Sequence, residues 1–137
     1  MYEALRICRA WIHSVRMENP MGEPKREGQE EIGKLEAQVL RLSDLVDYQE
    51  GAVVSREIVH QGTGTVTLFA FDQGQGLGKH TAPFDALVHL LEGQAEIAIS
   101  GQPFRLQAGE IIIMPAHEPH ALKALKRFKM MLVMIRS

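Results

Sequence analysis

The sequence predicts an all-β barrel or sandwich, one domain in size, with a short helical extension in front of it. Nine of the twelve glycines fall between Gly51 and Gly109 and cut that stretch into short apolar pieces, the punctuation of strands joined by tight turns. The pieces are AVVSREIVH, TVTLFAF, FDALVHLL, AEIAIS, PFRL and EIIIMP. They are rich in β-branched residues and several alternate, as Ala95, Ile97 and Ile99 do against Glu96 and Ala98, which makes one face apolar. No helices intervene between them, and regular short strands with glycine turns indicate an all-β sandwich or barrel. At 137 residues the chain supports one core and no second domain.

Taken in order, residues 1–16 place Leu5, Cys8, Trp11, Ile12 and Val15 at three- and four-residue steps, which puts them on one face of a short amphipathic helix. The other reading of this stretch is a vestigial extension that orders only when packed. Residues 18–29, ENPMGEPKREGQ, combine two prolines and two glycines with charge and almost no apolar content, so they read as a linker. Ile32, Leu35, Val39 and Leu42 then recur at helical steps, with Glu30 four residues before Lys34, predicting a second helix over about 29–42. Extension and linker thus occupy 1–44 and the barrel 45–137. Ser100-Gly101-Gln102-Pro103 reads as a hairpin turn. The last stretch, ALKALKRFKMMLVMIR, suits either a helix with a basic face, of the kind that lies on a membrane surface, or two strands, His120 to Ala124 and Phe128 to Ile135. A barrel needs closing strands here, so the strands are preferred, and the lysines become a solvated face.

Composition narrows the function classes. A net charge of -2 and a pI near 6.3 give no reason to expect nucleic acid or an anionic membrane as partner. Cys8 is the single cysteine, which rules out an internal disulfide framework and a thiolate metal cluster and fits a reducing cytoplasm. No apolar run reaches the roughly 18–20 residues needed to span a bilayer. Glu3, Arg6 and Arg9 interrupt the stretch where a signal peptide needs an apolar block.

Two segments carry the most information: Gly74 to Gly93, GQGLGKHTAPFDALVHLLEG, and Gly109 to Ala124, GEIIIMPAHEPHALKA. They resemble the two signature motifs of the cupin superfamily, G-x5-H-x-H-x3,4-E-x6-G and G-x5-P-x-G-x2-H-x3-N, as found in small stand-alone RmlC-like members with a conserved barrel domain. The resemblance covers roughly the last 90 residues. It implies a double-stranded β-helix, the cupin jelly-roll barrel, in which two histidines and a glutamate from the first motif and one histidine from the second hold a divalent transition metal: zinc, iron, nickel, manganese or copper. Gly74, His80, Gly93, Gly109, Pro115 and His120 match. The second histidine falls on Ala82, the glutamate on Ala86, the second motif's glycine on His117 and its asparagine on Ala124.

The carry-over leaves His80 and His120 as facing imidazoles in the lumen and two methyl groups where donors belong. His117, three residues before His120, is the candidate third metal ligand. Asp85 and Glu118 could supply oxygen, although Asp85 has the wrong strand parity to point where Ala86 points. Counted from His80 and Ala82, parity sends Phe84, Ala86, Val88 and Leu90 inward and Leu87, His89 and Leu91 outward. The outward set is apolar and needs a cover, which a homodimer partner or the N-terminal helices would provide, with His89 at or near the contact. Gly74 to Gly78 reads as a flexible loop at the barrel mouth rather than a phosphate cradle, because no helix start follows it. Met114, Met130, Met131 and Met134 read as core filler rather than copper ligands.

The preferred function is therefore a small-molecule-binding barrel with a degenerate metal site. Phe69, Phe84, Phe104 and Val88 would form an apolar pocket, and His80 and His120 would orient the polar end of the ligand. The alternative is a metal-dependent enzyme of dioxygenase, isomerase or decarboxylase type acting on a small organic substrate, with His80, His120 and His117 as ligands. A third reading makes the N-terminal extension the docking element for another protein.

Overall fold

The computed structural model describes residues 35–136. The first predicted helix, the linker and the first part of the second helix lie outside them. Nine strands follow one another: β1 Val53–Gln61, β2 Gly64–Phe71, β3 Gly76–His80, β4 Ala86–Glu92, β5 Gln94–Ile99, β6 Gln102–Gln107, β7 Ile111–Met114, β8 His120–Ala124 and β9 Phe128–Ile135. They form a five-stranded sheet in the order β1-β2-β9-β4-β7 and a four-stranded sheet in the order β3-β8-β5-β6, and the described ladders within them are antiparallel. Each expected strand forms. The C-terminal ambiguity resolves as two strands because β9 is the strip between β2 and β4, paired along its length to both.

Strand alternation builds the core between the sheets. Ala86, Val88 and Leu90 of β4, Phe128, Met130, Leu132 and Met134 of β9, and Phe69 and Phe71 of β2 meet Ala95, Ile97, Leu106, Leu122 and Ala124 of the other sheet in one buried cluster. Phe71 and Phe128, opposite each other in the register, stack at 4.3 Å between ring centroids, which adds an aromatic contact to the area they bury. Met114 is also fully buried there, as expected of core filler.

A second, smaller cluster lies on the outer face of the five-stranded sheet. Leu68, Ala70 and Val54 point away from the main core yet are buried, because Leu42, Leu45, Val46 and Tyr48 pack over them. Here the structure corrects the second helix. Residues 35–37 form a turn with Ala37 at φ 59°, residues 38–41 are irregular, and a single 3-10 turn spans Leu42–Asp44. Spreading four apolar side chains across a flat sheet face requires an extended path, and that packing overrides local helix preference. The segment is fastened by Tyr48, whose hydroxyl donates to Glu92 at 2.7 Å while the Arg127 guanidinium sits 4.6 Å from the ring centroid. Lys129, expected on a solvated face, is buried beneath it and donates to the Ser43 carbonyl.

Two turns explain how the motif residues are held. Ser100 and Gly101 both have positive φ and join β5 to β6 as a two-residue hairpin, the geometry that matches strand twist. Gly93 turns β4 into β5 at φ +86°, and a Cβ there would run into the Arg127 carbonyl. Only glycine satisfies both demands.

Candidate functional site

The site is assembled where β3 ends and β8 begins. His80 and His120 are direct partners in the β3–β8 ladder, and their rings meet edge to face with centroids 4.3 Å apart. That pairing corrects one expectation: Gly76 to Gly78 belong to a strand and not to a flexible mouth loop. Gly76 permits close strand approach, since a Cβ there would collide with the Leu122 carbonyl; Gly74 does remain in a turn, at φ +83°.

The chain around the pair is pinned by hydrogen bonds. On one side of the Pro115–Pro119 turn, the His117 amide donates to the Ala82 carbonyl at 2.7 Å and the Ala116 amide donates to Asp85 Oδ1 at 2.8 Å. On the other, the Ser100 amide donates to the Pro119 carbonyl at 2.8 Å and the Ser100 hydroxyl donates to Glu118. Asp85 and Glu118 thus act as loop ties. Parity excluded Asp85 from the lumen but gave no hint of this role, because its partner is a backbone amide 31 residues away.

His120 is buried and His80 half-buried. Burial disfavours the charged imidazolium and is the largest influence on both, pushing His80 down to about 4 and holding His120 below its ordinary value. Each Nδ1 lies within hydrogen-bond distance of a backbone carbonyl, Gly78 at 2.7 Å for His80 and Glu118 at 3.2 Å for His120. A carbonyl oxygen can only accept, so Nδ1 carries the proton in both rings and Nε2 is the lone-pair nitrogen. Near neutral pH the site therefore holds two uncharged imidazoles of fixed tautomer.

The methyl groups of Ala82 and Ala86 are buried, 8% and 2% exposed, on the inward parity of the first motif. Among the described residues, no three of His, Cys, Asp or Glu come together in a group that could hold a metal ion. His117 does not join the pair: it is exposed on its turn, with φ 67°, where the motif has glycine. Protein metal sites ordinarily draw three or four donors from the chain. Two imidazoles and two methyls do not fit a resident divalent metal.

Of the remaining residues expected to line the pocket, Phe84, Val88 and Phe69 are buried in the main core. Phe104 is not: it stands on β6, the outermost strand of its sheet, and is 37% exposed. Its parity is that of buried Leu106, but an edge strand lacks a neighbour to cover it. Outward parity holds for Leu87, His89 and Leu91, all partly exposed; Leu91 packs under the 42–48 segment. Among the described residues no helix is long and apolar enough to cross a membrane.

Comparison with known proteins agrees with this geometry. The cupin domain family model matches residues 67–136, which contain both motifs. No curated protein matches. Among solved structures, a conserved protein of unknown function from Streptococcus pyogenes is 40% identical with a TM-score of 0.71, over 74% of this chain and 89% of that one. A cupin 2 conserved barrel domain protein from Leptotrichia buccalis is 37% identical with a TM-score of 0.69, over 71% of this chain and 47% of that one. A cupin superfamily protein from Desulfitobacterium hafniense is 26% identical with a TM-score of 0.71, over 74% of this chain and 94% of that one. A family match over half the chain, on the same two sheets and with the motif histidines side by side, makes this protein a member of the cupin superfamily.

Proposed function

We propose that this cupin binds a small, uncharged molecule at the His80–His120 end of the barrel, and does so without a resident metal. The observation that carries the reading is the imidazole pair itself: two rings 4.3 Å apart, each with Nδ1 on a backbone carbonyl. With Nε2 as the lone-pair nitrogen in both, the pair is built to accept hydrogen bonds, which selects hydroxyl or amide donors. A carboxylate gains nothing from two neutral acceptors, and charging them to receive it works against their burial. Buried apolar side chains of the same motif, Ala82, Ala86 and Val88, suit the carbon skeleton of such a ligand.

The experiment is imidazole nitrogen NMR on the full chain with paired compounds of similar shape, such as primary amides against the matching carboxylates. The reading expects the amides to shift the His80 and His120 Nε2 resonances and His120→Ala to abolish the effect. Tighter binding of the carboxylates, or shifts elsewhere only, would overturn it. The alternative, a metal-dependent enzyme, draws support from one feature: an imidazole donating Nδ1–H to a carbonyl is also how metal-bound histidines are oriented. Among the described residues no third donor joins the pair. The reading includes a homodimer, because exposed Ile111 and Ile113 of β7 lie beside His89 and Leu87 of β4 in the ladder and nothing else among the described residues covers them. Sedimentation at micromolar concentration checks it by mass.

A further inference from the structure

A groove of about 280 Å³ lies outside the barrel on the outer side of β1, and no residue of β3 or β8, which carry the histidine pair, lines it. Its walls are Leu35, Leu40, Leu42 and Leu45 from the segment before the barrel and Ile58 and Val59 from β1, with Glu36, His60 and Gln61 at the rim. Val59 is 42% exposed and Leu40 is 38% exposed, so apolar surface faces solvent on both walls. We infer that residues 1–16 of the same chain close this groove, with Trp11 as the anchor.

Two observations argue for this occupant. The first is tethering. The undescribed part of the chain joins the described part at Leu35, and Leu35 is itself a wall of the groove. Residues 17–34 can span roughly 60 Å when extended, ample for the leading segment to turn back. A tether of that kind raises the local concentration of the segment to about the millimolar range, which favours capture in cis over a separate molecule.

The second observation is charge. The stretch 35–50 carries Glu36, Asp44, Asp47 and Glu50 against Arg41, whereas residues 1–16 carry Arg6, Arg9 and Arg16 against Glu3. Of these acidic residues Glu36 stands at the groove rim itself, in a stretch whose net negative charge complements a segment that is basic on one side and apolar on the other. That segment's apolar stripe of Leu5, Cys8, Trp11, Ile12 and Val15 cannot bury itself within sixteen residues, and a groove of this size takes a large side chain or two rather than a whole helix. One of the basic residues would then lie beside Glu36 at the rim, at a surface where salt screens the pair.

Trp11 is the only tryptophan in the chain, so its fluorescence reports the contact directly in the full-length protein. Docking predicts a blue-shifted emission and a several-fold lower acrylamide quenching constant than in the isolated peptide 1–16, both unchanged on dilution. Val59→Glu and Leu40→Glu, each at an exposed wall position, should return both readings to the peptide values while the far-UV circular dichroism of the barrel is retained. Peptide-like quenching in the folded wild-type chain overturns the inference. So does protection that both groove variants leave intact, which would move the contact elsewhere. Protection lost on dilution, in step with dissociation of a dimer in sedimentation, would also overturn it by assigning the groove to a second copy.

Discussion

At the scale of single residues, the account turns on four side chains: His80, His120, Ala82 and Ala86. Their placement was legible in the sequence because each sits at a fixed offset from a motif glycine or proline, and strand alternation then sets direction. The partnership of the two histidines was legible as facing, not as contact. The tautomer that aims both Nε2 atoms depends on the Gly78 and Glu118 carbonyls, which no side-chain pattern encodes. His117 shows the opposite failure: its spacing from His120 suggested a ligand, whereas its backbone adopts the positive φ of the motif's glycine, which turns the side chain to solvent. Burial of two neutral histidines has a consequence for stability. Their folded values lie below the unfolded value near 6.5, so between pH 6.5 and 4 the unfolded chain takes up protons that the folded chain resists. Stability is full above pH 6.5 and falls as the pH drops towards 4, by about 1–3 kcal/mol. Urea midpoints measured across that window should fall in the wild type and fall less in a His80→Asn, His120→Asn double variant; equal slopes would show that the pair is not buried neutral.

At the scale of elements, strands were easier to read than the segments that cover them. Phe128 to Ile135 was placed correctly because a barrel must close, and β9 does so between β2 and β4. The β3 strand was missed because three glycines within Gly74–Gly78 look like loop until the Leu122 backbone is known to lie against Gly76. The irregular path of residues 38–48 was missed for a related reason: helical spacing of Leu35, Val39 and Leu42 is real, but a flat sheet face offers more apolar contact to an extended chain. Tyr48 completes that contact, and burial with the Glu92 hydrogen bond pushes its hydroxyl far above the usual phenol range. The β4–β5 turn depends on one atom that is absent. Gly93→Ala meets both a left-handed backbone and the Arg127 carbonyl, and should cost about 2–4 kcal/mol, read as a lowered urea midpoint. An unchanged midpoint would mean that this turn relaxes without consequence.

At the scale of the whole molecule, two sheets enclose one core and leave three differently finished surfaces. The outer face over β1 and β2 is closed by the chain's own 42–48 segment, while β7 and β6 end their sheets with Ile111, Ile113 and Phe104 exposed. Phe104 was read as a pocket residue because alternation gives the face of a strand but not its rank in the sheet, and an edge strand leaves even its inward side chains partly uncovered. Fold class follows from pattern and motif spacing; which strands lie at the edges follows from pairing that spacing does not express. The central claim, a cupin barrel that binds its ligand through two neutral imidazoles and keeps no metal, is tested most directly by metal analysis. Tag-free protein grown with first-row metals supplied, dialysed at neutral pH and analysed by mass spectrometry, should carry well under one metal ion per chain, in an amount unaffected by His80→Ala or His120→Ala. One iron, zinc, nickel, manganese or copper ion per chain, lost in either variant, would contradict it.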